Sequence, residues 1–206
     1  MPATIRFACP DDAQAILSIY APYVVSSSVT FEATVPRVYD FKRRIAASAA
    51  TLPFLVCVAD GKIAGYAYAV NQKFGAAFSW NTCLYVYISN EYQRCNIASA
   101  LYLAILSLLK AQEYRKVLAL VTSSNAVSED FHNAFGFEKV GTVKKAGYKL
   151  GKWHSVSIFE KQLSDSEEPP CPVKNISDLD PAFCERNFKK CAKIIRLHWS
   201  RQGAFS

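Results

Sequence analysis

The chain has 206 residues, 51% of them apolar, and a net charge of +7, enough for one domain of about 160 residues plus an extension. No run of about 18 apolar residues is available to span a membrane, and the N-terminal stretch carries Asp11 and Asp12 rather than a basic, apolar export signal, so the seven scattered cysteines read as reduced thiols of a cytosolic protein. The positive charge suits a phosphate-rich ligand, but no Lys/Arg run exceeds Lys42-Arg43-Arg44 and no nucleic-acid-binding signature accompanies it, which argues against a nucleic-acid partner.

In chain order, residues 4–8 predict a strand, and Pro10-Asp11-Asp12 opens a helix running to Ile19. Residues 54–59 and 63–69 predict a hairpin closed by Asp60-Gly61. Residues 82–88 are apolar and β-rich, and a polar turn follows at Ser89-Asn90-Glu91-Tyr92. Beyond Gln93-Arg94-Cys95-Asn96, the residues Ile97, Leu101, Ala104, Ile105 and Leu108 form one helical stripe, uninterrupted by Pro or Gly as far as Gln112. Residues 116–122 predict a buried strand. Strand, loop, helix and strand make a βαβ unit, and the loop at the helix N-terminus gathers unpaired N–H donors into a site for an anion. After Ser124-Asn125 come a further helix, Phe135-Gly136-Phe137 and a last pair of strands.

The loop Gln93-Arg94-Cys95-Asn96-Ile97-Ala98 resembles the pyrophosphate loop of the GNAT superfamily of N-acetyltransferases, whose pattern is Gln/Arg-x-x-Gly-x-Gly/Ala. Asn96 replaces the first glycine, and Asn tolerates a left-handed backbone better than other residues with a side chain. The order of elements from residue 3 to about 163 is similar to that superfamily. Ser28-Val29-Thr30-Phe31-Glu32, Gly65-Tyr66-Ala67-Tyr68-Ala69, Ala77-Phe78-Ser79-Trp80, Asn125-Ala126-Val127-Ser128 and Lys152-Trp153-His154 resemble phrases of the phosphinothricin and methionine sulfoximine acetyltransferases.

The resemblance implies an α+β fold layered α/β/α, with a mixed, mostly antiparallel sheet. It implies acetyl-CoA as co-substrate, no metal, a small primary amine as acceptor, and a homodimer. The backbone of Val86, Tyr87 and Ile88 would pair with pantetheine. The amides of Arg94, Cys95, Asn96, Ile97, Ala98 and Ser99 would hold the pyrophosphate, and Asn125 would also contact the cofactor. His132 stands where a tyrosine or histidine protonates the departing thiolate, and His154 is a candidate to take the amine proton. Thr30, Phe31, Lys73, Phe78 and Tyr85 would face the amine, with Glu32 an alternative base. Each also has a plain structural use: Asn125 as a helix cap, His132 as a surface helix residue, His154 as a strand residue bonded to backbone.

Cys83 occupies the position of a proposed general-base glutamate. Three roles stay open for it: a packed residue, with water and His154 handling the proton; the mark of an impaired or repurposed site; or an activated thiol. The lost basic position at Gly75 and the phenyl ring of Phe78 point to fewer donors for an anionic substrate. The alternative to an enzyme is an acyl-CoA-binding module with a sensor or interaction role.

The domain is expected at 1–163. Residues 164–180 form an acidic, Pro-rich linker, and 181–206 a basic amphipathic helix and tail, with Asp180-Pro181 as its start. Cys184, Phe188, Cys191, Ile195, His198 and Trp199 share one side of a helix over 182–200, which would dock on the domain or a partner. The seven-residue steps from Cys184 to Cys191 to His198 lack the spacing of a zinc site.

Overall fold

A computed structural model describes residues 3–72, 74–123 and 125–197. Seven strands form one sheet in the order β1-β2-β3-β4-β5-β7-β6: β1 (Thr4–Phe7), β2 (Phe54–Ala59), β3 (Lys62–Asn71), β4 (Asn81–Ile88), β5 (Lys116–Thr122), β6 (Glu138–Lys149) and β7 (Lys152–Gln162). Every neighbouring pair is antiparallel except β4 with β5. That parallel pair flanks α3 (Ile97–Ala111), so the expected βαβ unit is present. The β2–β3 turn has φ 51° at Asp60 and 75° at Gly61, the left-handed pair that a two-residue hairpin requires.

Strand alternation divides the core in two. On one face Leu55, Cys57, Ala67, Leu84 and Val117 pack against the Ile97, Leu101, Ala104, Ile105 and Leu108 stripe of α3. On the other, Phe54, Val56, Tyr66 and Tyr87 pack against α1 (Ala13–Ser26) and α2 (Val38–Ser48). α1 runs past the expected end at Ile19, through Pro22 to Ser26. α2 has only Phe41 and Ile45 buried, too few for a legible stripe. α4 (Ala126–Ala134) sends Phe131 and Phe135 to the α3 side.

The extension shares this core. Ile176, Cys184, Phe188 and Cys191 belong to the α3-side cluster, Phe188 meets Phe7 edge-on at 5.0 Å, and buried Asn187 donates to the Ala104 carbonyl at 2.9 Å. The helix here, α5 (Pro181–Ala192), starts under the Asp180 cap, whose carboxylate accepts from the N–H groups of Ala182 and Phe183. It is shorter than the expected 182–200, and Ile195 lies beyond it. Past Ala192 the Ile194 and Ile195 N–H groups bond three residues back, to Cys191 and Ala192, and the Arg196 N–H then turns to the Cys95 carbonyl. His198, Trp199 and Ser200 lie outside the described residues. The cysteines are all free; Cys9 and Cys171 are exposed, and Cys57, Cys83, Cys95, Cys184 and Cys191 are buried.

Phe188→Ala should therefore destabilise the whole molecule by about 3 kcal/mol, lowering the thermal midpoint by roughly 6–12 °C. A midpoint within about 1 °C of the parent would mark the extension as an independent appendage.

Candidate active site

The parallel ladder between β4 and β5 joins Asn81 to Lys116, Thr82 to Val117 and Cys83 to Leu118, and then stops. Both strands continue, β4 to Ile88 still paired with β3 and β5 to Thr122 still paired with β7. They diverge like a fork, so the backbone of 84–88 has no strand partner on its β5 side. Tyr23 of α1 donates its hydroxyl to the Ile88 carbonyl at 2.7 Å. The remaining groups on that edge suit an extended ligand carrying amides of its own.

A cavity of about 420 Å³ opens on the α1 face of the fork, lined among others by Thr30, Phe31, Glu32, Tyr68, Tyr85 and Tyr87. β5 adds Leu120 and Thr122, and β7 adds Val156. Its floor carries Tyr68, Tyr85 and Tyr87 on facing strands, where Tyr68 opposes Tyr85 and Tyr87 opposes the fully buried Tyr66. The Tyr68 and Tyr85 rings stack at 5.2 Å, and burial pushes both hydroxyls upward in pKa, keeping them protonated. The 28–32 loop is bolted over this floor. Ser28 O accepts from the Thr122 hydroxyl at 2.6 Å, Thr30 O from Lys149 Nζ at 2.7 Å, and Thr30 Oγ1 lies 2.6 Å from the Tyr20 hydroxyl. Phe31 lies over Gly147, where an added Cβ would stand 2.6 Å from the ring. Glu32 accepts from Arg44 at 2.8 Å and brings a carboxylate to the cavity.

At the other end of the fork, the 93–98 loop turns into α3. Arg94 and Asn96 both have φ 61°, so Asn takes the left-handed turn that glycine takes most easily. The Asn96 side chain makes no capping bond, which leaves the first-turn N–H groups of α3 without a side-chain acceptor. Cys95 is buried.

The remaining sequence-predicted residues divide sharply. Cys83 is the last paired residue of β4 before the divergence and is fully buried. Burial pushes its thiol up; hydrogen bonding with the Tyr85 side chain and the backbone of Leu84 and Leu120 opposes this only in part, so the group is a protonated thiol at neutral pH. His132 is not on the surface: it is 4% exposed and stacks on Phe159. Its Nδ1 lies 2.6 Å from the Ser128 carbonyl and its Nε2 2.8 Å from the Tyr102 hydroxyl. It is not among the cavity's lining residues. His154 is buried, its Nε2 3.0 Å from the Lys149 carbonyl, and its ring centroid is 6.4 Å from that of Phe31, a cavity residue. Asn125 caps α4, accepting from Ser128 N–H at 3.2 Å. Phe78 packs edge-on against Phe74 at 5.2 Å and does not line the cavity; Lys73 lies outside the described residues.

Thr30, Phe31 and Tyr85 thus come together. Tyr20, Tyr68, Leu120, Thr122 and Val156 join them without having been singled out. The signal for the tyrosines was present as alternation, Tyr66 and Tyr68 on one strand and Tyr85 and Tyr87 on the next, but only the register shows that they meet. Among the described residues no group of three His, Cys, Asp or Glu is placed to hold a metal, and no helix is long and apolar enough to cross a membrane.

Comparison with known proteins agrees with this geometry. Residues 5–157 match the acetyltransferase (GNAT) domain family. A phosphinothricin N-acetyltransferase of Streptomyces viridochromogenes is 31% identical, over 86% of this chain and 97% of that protein. One from Alcaligenes faecalis is also 31% identical, over 78% and 83%. The crystal structure of a phosphinothricin acetyltransferase from Sinorhizobium meliloti in complex with acetyl-CoA superposes with a TM-score of 0.76 at 26% identity, covering 88% of this chain and 97% of that one. A chain whose sheet forks beside a left-handed loop, and which is 31% identical to such enzymes over most of its length, belongs to the GNAT acetyltransferase family.

Proposed function

We propose that this acetyltransferase moves an acetyl group from acetyl-CoA to the primary amine of a small amino-acid-like molecule, by direct attack in a ternary complex. The observation that carries this reading is the fork: an unpaired β4 edge leads from the anion loop to a cavity of about 420 Å³, a volume suited to a small acceptor. The pantetheine arm would pair with the backbone of Val86, Tyr87 and Ile88, and the pyrophosphate with the amides of Arg94 to Ser99. Asn125 would approach the arm from the start of α4. The acyl carbon would then lie at the mouth of the tyrosine-floored cavity, where two reactants held in register make up much of the rate enhancement.

The attacking amine must first be neutral. Glu32 supplies the negative charge that draws an ammonium into the cavity, and a water between it and His154 offers the proton a way out. Cys83 takes no part in this scheme, because a buried protonated thiol accepts no proton. His132 anchors α4 beneath the cofactor arm and is a positioning residue: both ring nitrogens already have partners. The thiolate would regain its proton from solvent at the open end of the fork. A dimer and a cytosolic setting belong to the same reading and rest on resemblance.

Calorimetry should show acetyl-CoA binding, and a thiol-release assay should show turnover with phosphinothricin, methionine sulfoximine or a related amino acid. No binding would sink the cofactor assignment; binding without release for any amine in a broad panel would favour an acyl-CoA-binding module. Cys83→Ala should keep kcat/KM within about threefold, whereas removing a working base or nucleophile costs roughly a hundredfold or more.

Burial holds His132 below its ordinary 6.5, so below that pH the unfolded chain binds the proton first. Its contribution to stability is complete above about pH 6.5 and is lost as pH falls from there through the folded-state value. Ring NMR should accordingly show His132 neutral at pH 6.5, titrating at lower pH. A titration at or above the ordinary value would mean that the ring is open to solvent or paired with an anion.

A further inference from the structure

The extension runs the full length of α3 in the opposite direction. At the end of α3, Gln112 accepts from Lys174 N–H at 2.9 Å through its carbonyl and donates its side-chain amide to the Lys174 carbonyl at 2.8 Å. Midway, Asn187 holds Ala104. Beyond α5 the chain arrives at the start of α3. There the Arg196 N–H donates to the Cys95 carbonyl at 3.0 Å, and Asn96 Nδ2 donates to the Ile194 carbonyl at 3.3 Å.

This contact has an informative polarity. The extension engages the loop through a carbonyl and a side chain, which leaves the loop's N–H groups free to face an anion. Asn96, the residue that departs from the expected glycine, spends its side chain on the extension rather than on capping α3. Its φ of 61°, and that of Arg94, are strained for residues with a side chain and need outside contacts to hold them. Charge is distributed to match. Along α5, Arg186 pairs with Asp180, and Lys189 of the last turn pairs with Glu185. At its end, Lys190, Lys193 and Arg196 are exposed and form no ion pair among the described residues. Of these, Arg196 is the cation held against the 93–98 loop.

We propose that residues 193–196 are a working part of the acyl-CoA site: they latch the 93–98 loop in its anion-binding shape from behind, and they bring the Arg196 guanidinium to the cofactor's phosphates. The inference rests on the acyl-CoA reading above. Arg196 is anchored by its own N–H to the loop at Cys95, so its side chain starts beside the loop whose amides would hold the pyrophosphate. An arginine there supplies a planar, permanently charged donor.

The test is acetyl-CoA affinity by calorimetry on the full-length protein, which needs no amine, for the parent, Arg196→Gln and Arg196→Lys. Arg196→Gln should weaken binding about fivefold at low salt, with the difference shrinking as salt screens it. Its thermal midpoint should stay that of the parent, and Arg196→Lys should recover most of the affinity. A purely structural role would instead move the midpoint and leave the salt dependence alone, overturning the proposal. Unchanged affinity in Arg196→Gln would also reject it, and tighter binding would reveal a segment that competes with the cofactor. If the parent itself binds no acetyl-CoA, the cofactor reading falls; if the parent binds and the glutamine variant binds equally well, the guanidinium contact with the phosphates falls while the cofactor reading stands.

Discussion

The molecule is organised around a ladder that fails to close. Two parallel strands share three residue pairs and then separate, each held on its far side by another strand. Unpaired backbone groups within a sheet are costly unless water or a ligand satisfies them. A fork is therefore stable only where the sequence arranges for something to enter it. The chain meets that requirement with bulk at the junction: buried Cys83 at the last pair, then Tyr85 and Tyr87 directed to one face while Leu84 closes the other. α3 begins after the loop that follows β4, and its first turn has no side-chain cap.

The two ends of the fork are built differently. The loop end is backbone, namely a strand edge, a left-handed loop and a helix terminus, and side-chain identity matters there chiefly for conformation. The cavity end is side chains from α1, the 28–32 loop, β3, β4, β5 and β7, joined by hydrogen bonds that reach far along the chain, such as Thr122 to Ser28 and Lys149 to Thr30. An acceptor pocket of this kind can change composition residue by residue while the cofactor track stays put.

What the sequence disclosed follows from the range of the forces involved. The α3 stripe, the Asp60-Gly61 hairpin and the loop before Ile97 are local, and all were legible. The fork was not, because hydrophobic pattern says that β4 and β5 exist and not where their pairing ends. The meeting of Tyr68 with Tyr85 depends on register in the same way. His132 looked like a surface residue on a short polar helix; its burial comes from Tyr102 of α3, Phe159 of β7 and Phe137 of the turn before β6. α5 ends before its amphipathic pattern does, since the backbone beyond it is claimed by a loop about a hundred residues upstream.

The distribution of the cysteines gives the protein a built-in reporter. Two thiols meet solvent and five are enclosed, and the enclosed ones sample separate regions: Cys57 within the sheet, Cys83 at the fork, Cys95 in the anion loop, Cys184 and Cys191 under α5. Burial drives the Cys57 thiol to about 12, where almost none is present as the reactive thiolate. Alkylation should thus proceed in a small fast phase and a large slow one, the slow phase timed by opening of the fold. Because Cys95 is buried within the loop and its carbonyl carries the Arg196 bond, its rate of modification would register lifting of the extension apart from global unfolding.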